Sequence, residues 1–417
     1  MKILTKSILL GLLLVSCYSL KAQDTKQTEY LSKIGVVDSL FSEVLNENRK
    51  IYIQLPENYN QNNSVKYPVV YLLDGEILLP TVANIHNFYS GGFMPEFVLV
   101  GISNAKHRTR DLTPTKIKTK YGMPFNEENG ESKTFLKFFE SELIPYIENN
   151  YQVTNYRTLI GHSYGGLFVV NTFLNQTNLF ANYIAIDPSL DWDNQHLLKE
   201  AETKIANLNL KNKALFMSLS GQLHMQNSAI TINNVMQDTT DYTLFARSNI
   251  SFSEIVKHSS NKALFFDWKF YPKDIHGTVV VPSLRDGLIS VFEWFQMENT
   301  DKINSFDTSK EDLLSIITYR EKKLEKHFGY FVAPYPEDLL NMSGYMNMDM
   351  QQLEKAKMYF ELAVQYYPNS SNVYDSLADY YQSENNYKEA LKNVEKAYQL
   401  NPTNYFKEKI EQLKNKL

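Results

Sequence analysis

The sequence predicts an α/β fold, a mostly parallel sheet with helices on both faces, followed by a small all-α repeat tail. Two patterns carry this reading. Short apolar runs alternate with amphipathic stretches from about residue 50 to residue 296, and a 34-residue period occupies most of the remainder.

Taken in order, residues 50–55 alternate Ile51, Ile53 and Leu55 against Tyr52 and Gln54, as a half-buried strand does. Residues 56–60 form a turn cluster. Residues 68–73 and 97–102 are continuous apolar runs, the pattern of strands covered on both faces. Phe135, Leu136, Phe138, Phe139, Leu143 and Ile147 then recur at helical spacing. A strand ends at 158–160 and an apolar helix follows over 167–174. Further strands are read at 183–186, 214–219 and 263–271. The helix at 282–295 puts Leu284, Leu288, Val291, Phe292 and Phe295 on its inner face. Strand and helix alternate throughout, which places the sheet in the α/β class.

The tail has its own signature. Ala356, Ala363 and Pro368 return 34 residues later as Ala390, Ala397 and Pro402, and Gly344 returns as Ala378. Small residues where paired helices cross, with a proline closing each unit, resemble the tetratricopeptide repeat. The units span 337–370 and 371–404, with a capping helix to residue 417. About three repeats are needed to bury a continuous core. Two units therefore predict a tail that packs on the connector, on the α/β domain or on a second copy.

The N-terminus reads as a leader: Lys2 and Lys6 precede an apolar run, Ile8 to Val15, too short to span a bilayer. Two processing sites fit. Leu14-Val15-Ser16-Cys17 matches a lipoprotein box, which would leave Cys17 lipidated, and ordinary cleavage fits near Ala22-Gln23. Either route predicts an exported protein, periplasmic or anchored to the outer membrane. The organisation is a leader over 1–23, a linker over 24–48 with one weak strand, the α/β domain over 49–298, a charged helical connector over 299–336 and the repeats over 337–417.

Composition narrows the function. The chain is 43% hydrophobic and 21% charged, which is globular. A net charge of −5 provides no basic footprint for nucleic acid. Tyrosines (28) and phenylalanines (24) are numerous enough to build a core and line a pocket for a bulky ligand. Cys17 is the only cysteine, so an internal disulfide or thiolate metal site is excluded. There is no P-loop, dinucleotide fingerprint, H-E-x-x-H or C-x-x-C, and no cofactor is expected.

The chemistry lies in Gly161-His162-Ser163-Tyr164-Gly165, a G-x-S-x-G pentapeptide between a strand end and an apolar helix. That setting is the nucleophile elbow of the α/β-hydrolases: a strained turn lifts the serine hydroxyl to the edge of the sheet. The glycines leave room for the turn, and the N–H of Tyr164 at the helix start can face a developing oxyanion. A serine needs a base. His276 is placed for it, in a loop after the last strand and before the closing helix, with Gly277 to let the loop approach. His86, His107, His196, His224 and His258 read as surface or pocket residues, His327 lies in the connector, and the His162 side chain should point away from the hydroxyl. The acid is open. The loop after 214–219 begins Ser220-Gly221-Gln222-Leu223-His224 and offers no carboxylate before Asp238 and Asp241; Asp187, directly at the end of the preceding strand where backbone position is fixed, is the favoured candidate and those two are the alternatives. A Ser–His dyad held by a carbonyl is a further option.

Residues 49–296 resemble the esterase family of α/β-hydrolases that includes siderophore esterases, S-formylglutathione hydrolase and feruloyl or acetylxylan esterases. The matching pieces are residues 67–75, Val100-Gly101-Ile102, Arg110-Asp111-Leu112-Thr113-Pro114, Gly161 to Gly166, Asp187-Pro188-Ser189-Leu190 and His276-Gly277. The resemblance implies hydrolysis of a carboxylic ester through an acyl-serine, with a second oxyanion donor near Gly75 and Glu76. Relatives carry an acid three residues after the glycine matching Gly221, where this chain has His224. Arg110-Asp111 reads as a structural pair that folds a loop over the sheet edge. The implied substrate is a small-molecule or glycan ester: a siderophore lactone, a cell-wall ester or a carbohydrate acetate. Acyl transfer to an alcohol, or a scaffold protein using its repeats for partner binding or self-association, are the alternatives.

Overall fold

A computed structural model describes residues 34–57, 59–61 and 65–417. The leader and Cys17 lie outside these residues. Eight strands form one sheet: β1 Val36–Ser42, β2 Glu47–Gln54, β3 Tyr67–Leu72, β4 Val98–Ile102, β7 Val153–His162, β8 Asn182–Ile186, β9 Lys213–Ser220 and β10 Leu264–Tyr271. A separate hairpin, β5 Thr119–Lys120 and β6 Met123–Pro124, lies between them in sequence. The sheet order is β1-β2-β4-β3-β7-β8-β9-β10. Only β2 runs against the others, pairing antiparallel with β1 and β4.

The apolar runs fill the centre as expected. Every residue of β3, β4 and β8 is buried, because helices cover both faces. On one face the elbow helix Tyr164–Asn175 contributes Leu167, Phe168, Val170 and Phe173, packed with Phe135, Phe138 and Phe139. On the other, Gly75–Tyr89 and Val280–Phe292 bury Leu78, Val82, Leu284 and Leu288.

The weak strand read within 24–48 is β1, which pairs with β2 along its whole length, so this part of the segment belongs to the sheet and not to a linker; β2 itself begins at Glu47. As an edge strand β1 exposes Val36, Val37 and Phe41, so it lacks the buried apolar run that marks its neighbours. The Arg110-Asp111 pair holds this edge: Asp111 is buried, accepts from Arg110 Nε at 2.8 Å, and pairs with Arg49 of β2 at 2.8 Å.

The tail is two helix pairs and a cap: Glu337–Asp349 with Leu353–Tyr366, Ser371–Ser383 with Tyr387–Leu400, then Asn404–Lys414. Ala356, Ala363, Ala378, Ala390 and Ala397 are fully buried at the crossings. At Gly344 a Cβ would lie 2.5 Å from the Phe360 ring, so any larger residue would force that ring to move. The tail completes its core on the connector helix Lys310–Phe328, as two repeats require. Leu313 and Ile317 join the first repeat, while Leu324 and Phe328 join the sheet-face core beside Tyr156. Between them, buried Arg320 donates to Pro334 O (2.7 Å) and Gln296 O (3.1 Å) and lies over the rings of Phe295 and Tyr335.

Candidate active site

β7 ends at His162 and the helix Tyr164–Asn175 begins one residue after Ser163. Ser163 is left at φ 60°, ψ −115°, a left-handed conformation that a non-glycine residue adopts only when its surroundings enforce it. The enforcement is visible. Ser163 N–H donates to Ile186 O (3.0 Å), its carbonyl accepts from Leu167 and Ser189, and a Cβ on Gly161 would sit 2.4 Å from the Gly165 backbone.

Three predicted residues come together here. His276 Nε2 is 3.0 Å from Ser163 Oγ, and His276 Nδ1 is 2.7 Å from Asp187 Oδ2. Asp187 follows β8 directly, at φ 42°, and is fully buried. Its other oxygen accepts the Ser220 N–H at 2.9 Å. A hydroxyl bonded to an imidazole whose far nitrogen meets a buried carboxylate is the geometry in which the imidazole takes the hydroxyl proton and the carboxylate holds its tautomer.

The other candidate acids stand elsewhere. Asp238 is occupied by its own loop, accepting from Thr240 and Thr243, and Asp241 opens a short turn at the cavity wall. Neither has a hydrogen bond to His276. His224 packs beside the Tyr242 ring at 5.1 Å and is not hydrogen-bonded to His276. Nor does Gly277 clear a path, since a Cβ there meets nothing within 4 Å; the tight position is Gly221, where a Cβ would lie 2.4 Å from Pro272 O.

Tyr164 lines the cavity that opens on Ser163, and as the first residue of its helix its N–H has no partner within that helix. Gly75 and Glu76 occupy the equivalent position of the helix Gly75–Tyr89, but neither is among the residues lining this cavity. Gly75 packs on Gly101, whose Cα would lie only 2.4 Å from a Cβ at Gly75, and a Cβ at Gly165 of the elbow would lie 3.5 Å from Leu73 and 3.6 Å from Asp74. The cavity measures about 710 Å³. Its walls come from the β5–β6 hairpin (Lys120, Tyr121, Met123), the loop after β9 (Gln222, Leu223, Met225) and the turn at Asp241, Tyr242 and Phe245. Sequence reasoning missed the hairpin, whose strands have only two residues each. Among the described residues no group of three or more His, Cys, Asp or Glu is arranged to hold a metal ion.

His162 does not simply point away. Its Nε2 lies 2.9 Å from His276 O, and the two rings are 4.6 Å apart. Burial, with His276 and Arg108 nearby, pushes its pKa down to about 4.

Fold and site together define a serine hydrolase of carboxylic esters. Residues 42–243 match the family described as "Putative esterase", and residues 337–370 and 371–404 match the tetratricopeptide repeat. The ferri-bacillibactin esterase BesA of Bacillus subtilis is 29% identical over 209 residues, 46% of this chain and 72% of that protein. The apo-salmochelin esterase of Escherichia coli is 26% identical over 235 residues, 54% of this chain and 69% of that one. The IroE-like serine hydrolase structure from Shewanella oneidensis has a TM-score of 0.64 at 29% identity, covering 79% of this chain and 99% of that one. An esterase-family region over residues 42–243 is thus joined to a tetratricopeptide tail.

Proposed function

We propose that the chain hydrolyses a siderophore ester through an acyl-serine intermediate, with Ser163 as nucleophile, His276 as base and Asp187 as the acid that orients it. Ser163 Oγ attacks the ester carbonyl carbon as its proton passes to His276 Nε2. The C–O bond to the alcohol breaks and the alcohol leaves with that proton. Water then gives a proton to Nε2 and its oxygen takes the acyl group, releasing the acid and restoring the serine. The Tyr164 N–H receives the negative oxygen formed in each step.

The observation that carries this reading is the unbroken relay of 3.0 Å and 2.7 Å from Ser163 to Asp187. The substrate class follows from the two relatives, one an esterase of ferri-bacillibactin and one of apo-salmochelin, and from a cavity with room for a bulky chelator. We also propose that the protein is exported, on the basic and apolar leader from Lys2 to Val15; the N-terminal sequence of the mature protein, and palmitate incorporation at Cys17, test this.

Ser163→Ala tests the chemistry. Wild type should take up one fluorophosphonate per chain and cleave p-nitrophenyl esters and catecholate trilactones. The variant should fold, lose labelling, and lose turnover by about 10⁶-fold, the scale of a serine removal elsewhere. Undiminished turnover in the folded variant would refute the mechanism.

A further inference from the structure

Two of the three residues of the relay are fixed by the sheet, but His276 comes from a loop, and its backbone is gripped on both sides. Its N–H donates to Gln222 Oε1 at 3.0 Å. Its carbonyl lies 2.9 Å from His162 Nε2. A carbonyl only accepts, so Nε2 carries the hydrogen and His162 donates. The His162 backbone is itself anchored: its carbonyl accepts from Arg108 Nη2 at 3.0 Å, and Arg108 is held in turn by Asp74 through two bonds of 2.8 and 2.9 Å. The half-buried His162 ring packs against the His276 ring, with Phe245 edge-on to His276 at 5.4 Å.

We propose that His162 is a positioning residue for the esterase reaction: it fixes the loop carrying His276 through its ring N–H. This rests on His276 being the base. The charged and titratable groups facing His162 are His276, Asp187 and Arg108. A neutral ring there leaves the positive charge that develops on His276 to Asp187 alone. Without the ring N–H, the His276 carbonyl loses its donor and the loop can shift. Misplacement of a catalytic group by about 1 Å costs on the order of 100-fold.

The test compares His162→Phe, which keeps the ring shape and removes the donor, with His162→Gln, which restores an N–H donor. Three readouts are taken in the full chain: kcat and KM on a p-nitrophenyl ester, the rate of fluorophosphonate labelling, and the downfield proton signal of the His276 Nδ1–H···Asp187 bond. His162→Phe should lower kcat and the labelling rate by about 10- to 100-fold, leave KM within about threefold, and broaden or abolish the downfield signal. His162→Gln should recover most of the loss. Full kcat and an intact signal in the Phe variant would overturn the proposal. Equal damage from Phe and Gln would overturn it as well, by showing that ring packing rather than the N–H matters. A wild type that cleaves no ester and takes no label would instead remove the esterase reading, while the downfield signal still reports on the clamp.

Discussion

Asp187→Asn is the sharpest test of the site, because the residue is isosteric and the geometry predicts which way it fails. Asp187 stands at φ 42°, a region asparagine tolerates, so the backbone turn survives the change. The amide oxygen can keep the Ser220 N–H bond that Oδ1 makes at 2.9 Å. That choice turns the amide NH₂ toward His276 Nδ1, 2.7 Å from the present Oδ2. An N–H facing Nδ1 requires Nδ1 to accept, which puts the ring hydrogen on Nε2, facing Ser163. The base then has no lone pair for the hydroxyl proton. The same tautomer error in a serine triad costs about 10⁴ in kcat, or about 5.4 kcal/mol of barrier. Steady-state turnover of a p-nitrophenyl ester, normalised to folded protein by circular dichroism, measures it. Asp238→Asn, which alters a carboxylate bonded only to its own loop, is the control and should change turnover less than about threefold. A loss below about tenfold at Asp187 would refute the three-residue mechanism and leave a Ser–His dyad.

Two further predictions concern stability. His86, stacked on Phe97 at 3.9 Å, is buried and His162 is half-buried, and desolvation holds the pKa of each at about 4. Both values lie below the ordinary 6.5, so between pH 6.5 and 4 the unfolded chain binds more protons than the folded one, and stability is lost as pH falls through that window. By about pH 5 the loss is about 2 kcal/mol per histidine; urea midpoints at about pH 7 and pH 5 should show a His86→Phe variant losing about that much less than wild type, and identical losses would refute the assignment. Arg320→Met should remove the donors of Pro334 O and Gln296 O and lower stability by about 2–4 kcal/mol, read as a lower melting temperature; an unchanged temperature would show that the connector is held by apolar packing alone.

Much of the molecule is legible in the chain, for physical reasons that also mark where legibility ends. β3, β4 and β8 are readable because burial on both faces demands unbroken apolar runs. β1 and β10 sit at the edges, where solvent admits mixed sequences, and β1 shows only as a weak strand inside what looks like a linker. The elbow is a local motif and reads directly. The acid is not local: Asp187 and His276 are 89 residues apart, and only their meeting in space sets Asp187 apart from Asp238 and Asp241. Its one sequence signal is position, directly after an apolar strand and before Pro188, where the backbone is fixed. Gly277 fails in the opposite direction: a glycine beside a functional residue invites a packing explanation, whereas the close approach falls at Gly221.

The placement of the acid explains the rest of the site. Ile186 accepts the Ser163 N–H and Ser189 donates to the Ser163 carbonyl, so the residues flanking Asp187 are bonded to the nucleophile's own backbone. Ser163 and Asp187 therefore sit at the ends of paired strands β7 and β8 and move as one piece. With the acid supplied there, the loop after β9 has no carboxylate to present and takes other work. Gly221 brings it against Pro272, Gln222 accepts the His276 N–H, and Leu223 and Met225 line the cavity. The base is the one member not carried on the paired strands, and the two hydrogen bonds to its backbone, from His162 at the end of β7 and to Gln222, fall on that member. An acid after β9 would have to share this loop with the bond from His276 N–H. Placing the acid on β8 separates the two tasks, so the loop after β9 can shape the cavity without moving the carboxylate that sets the tautomer of the base.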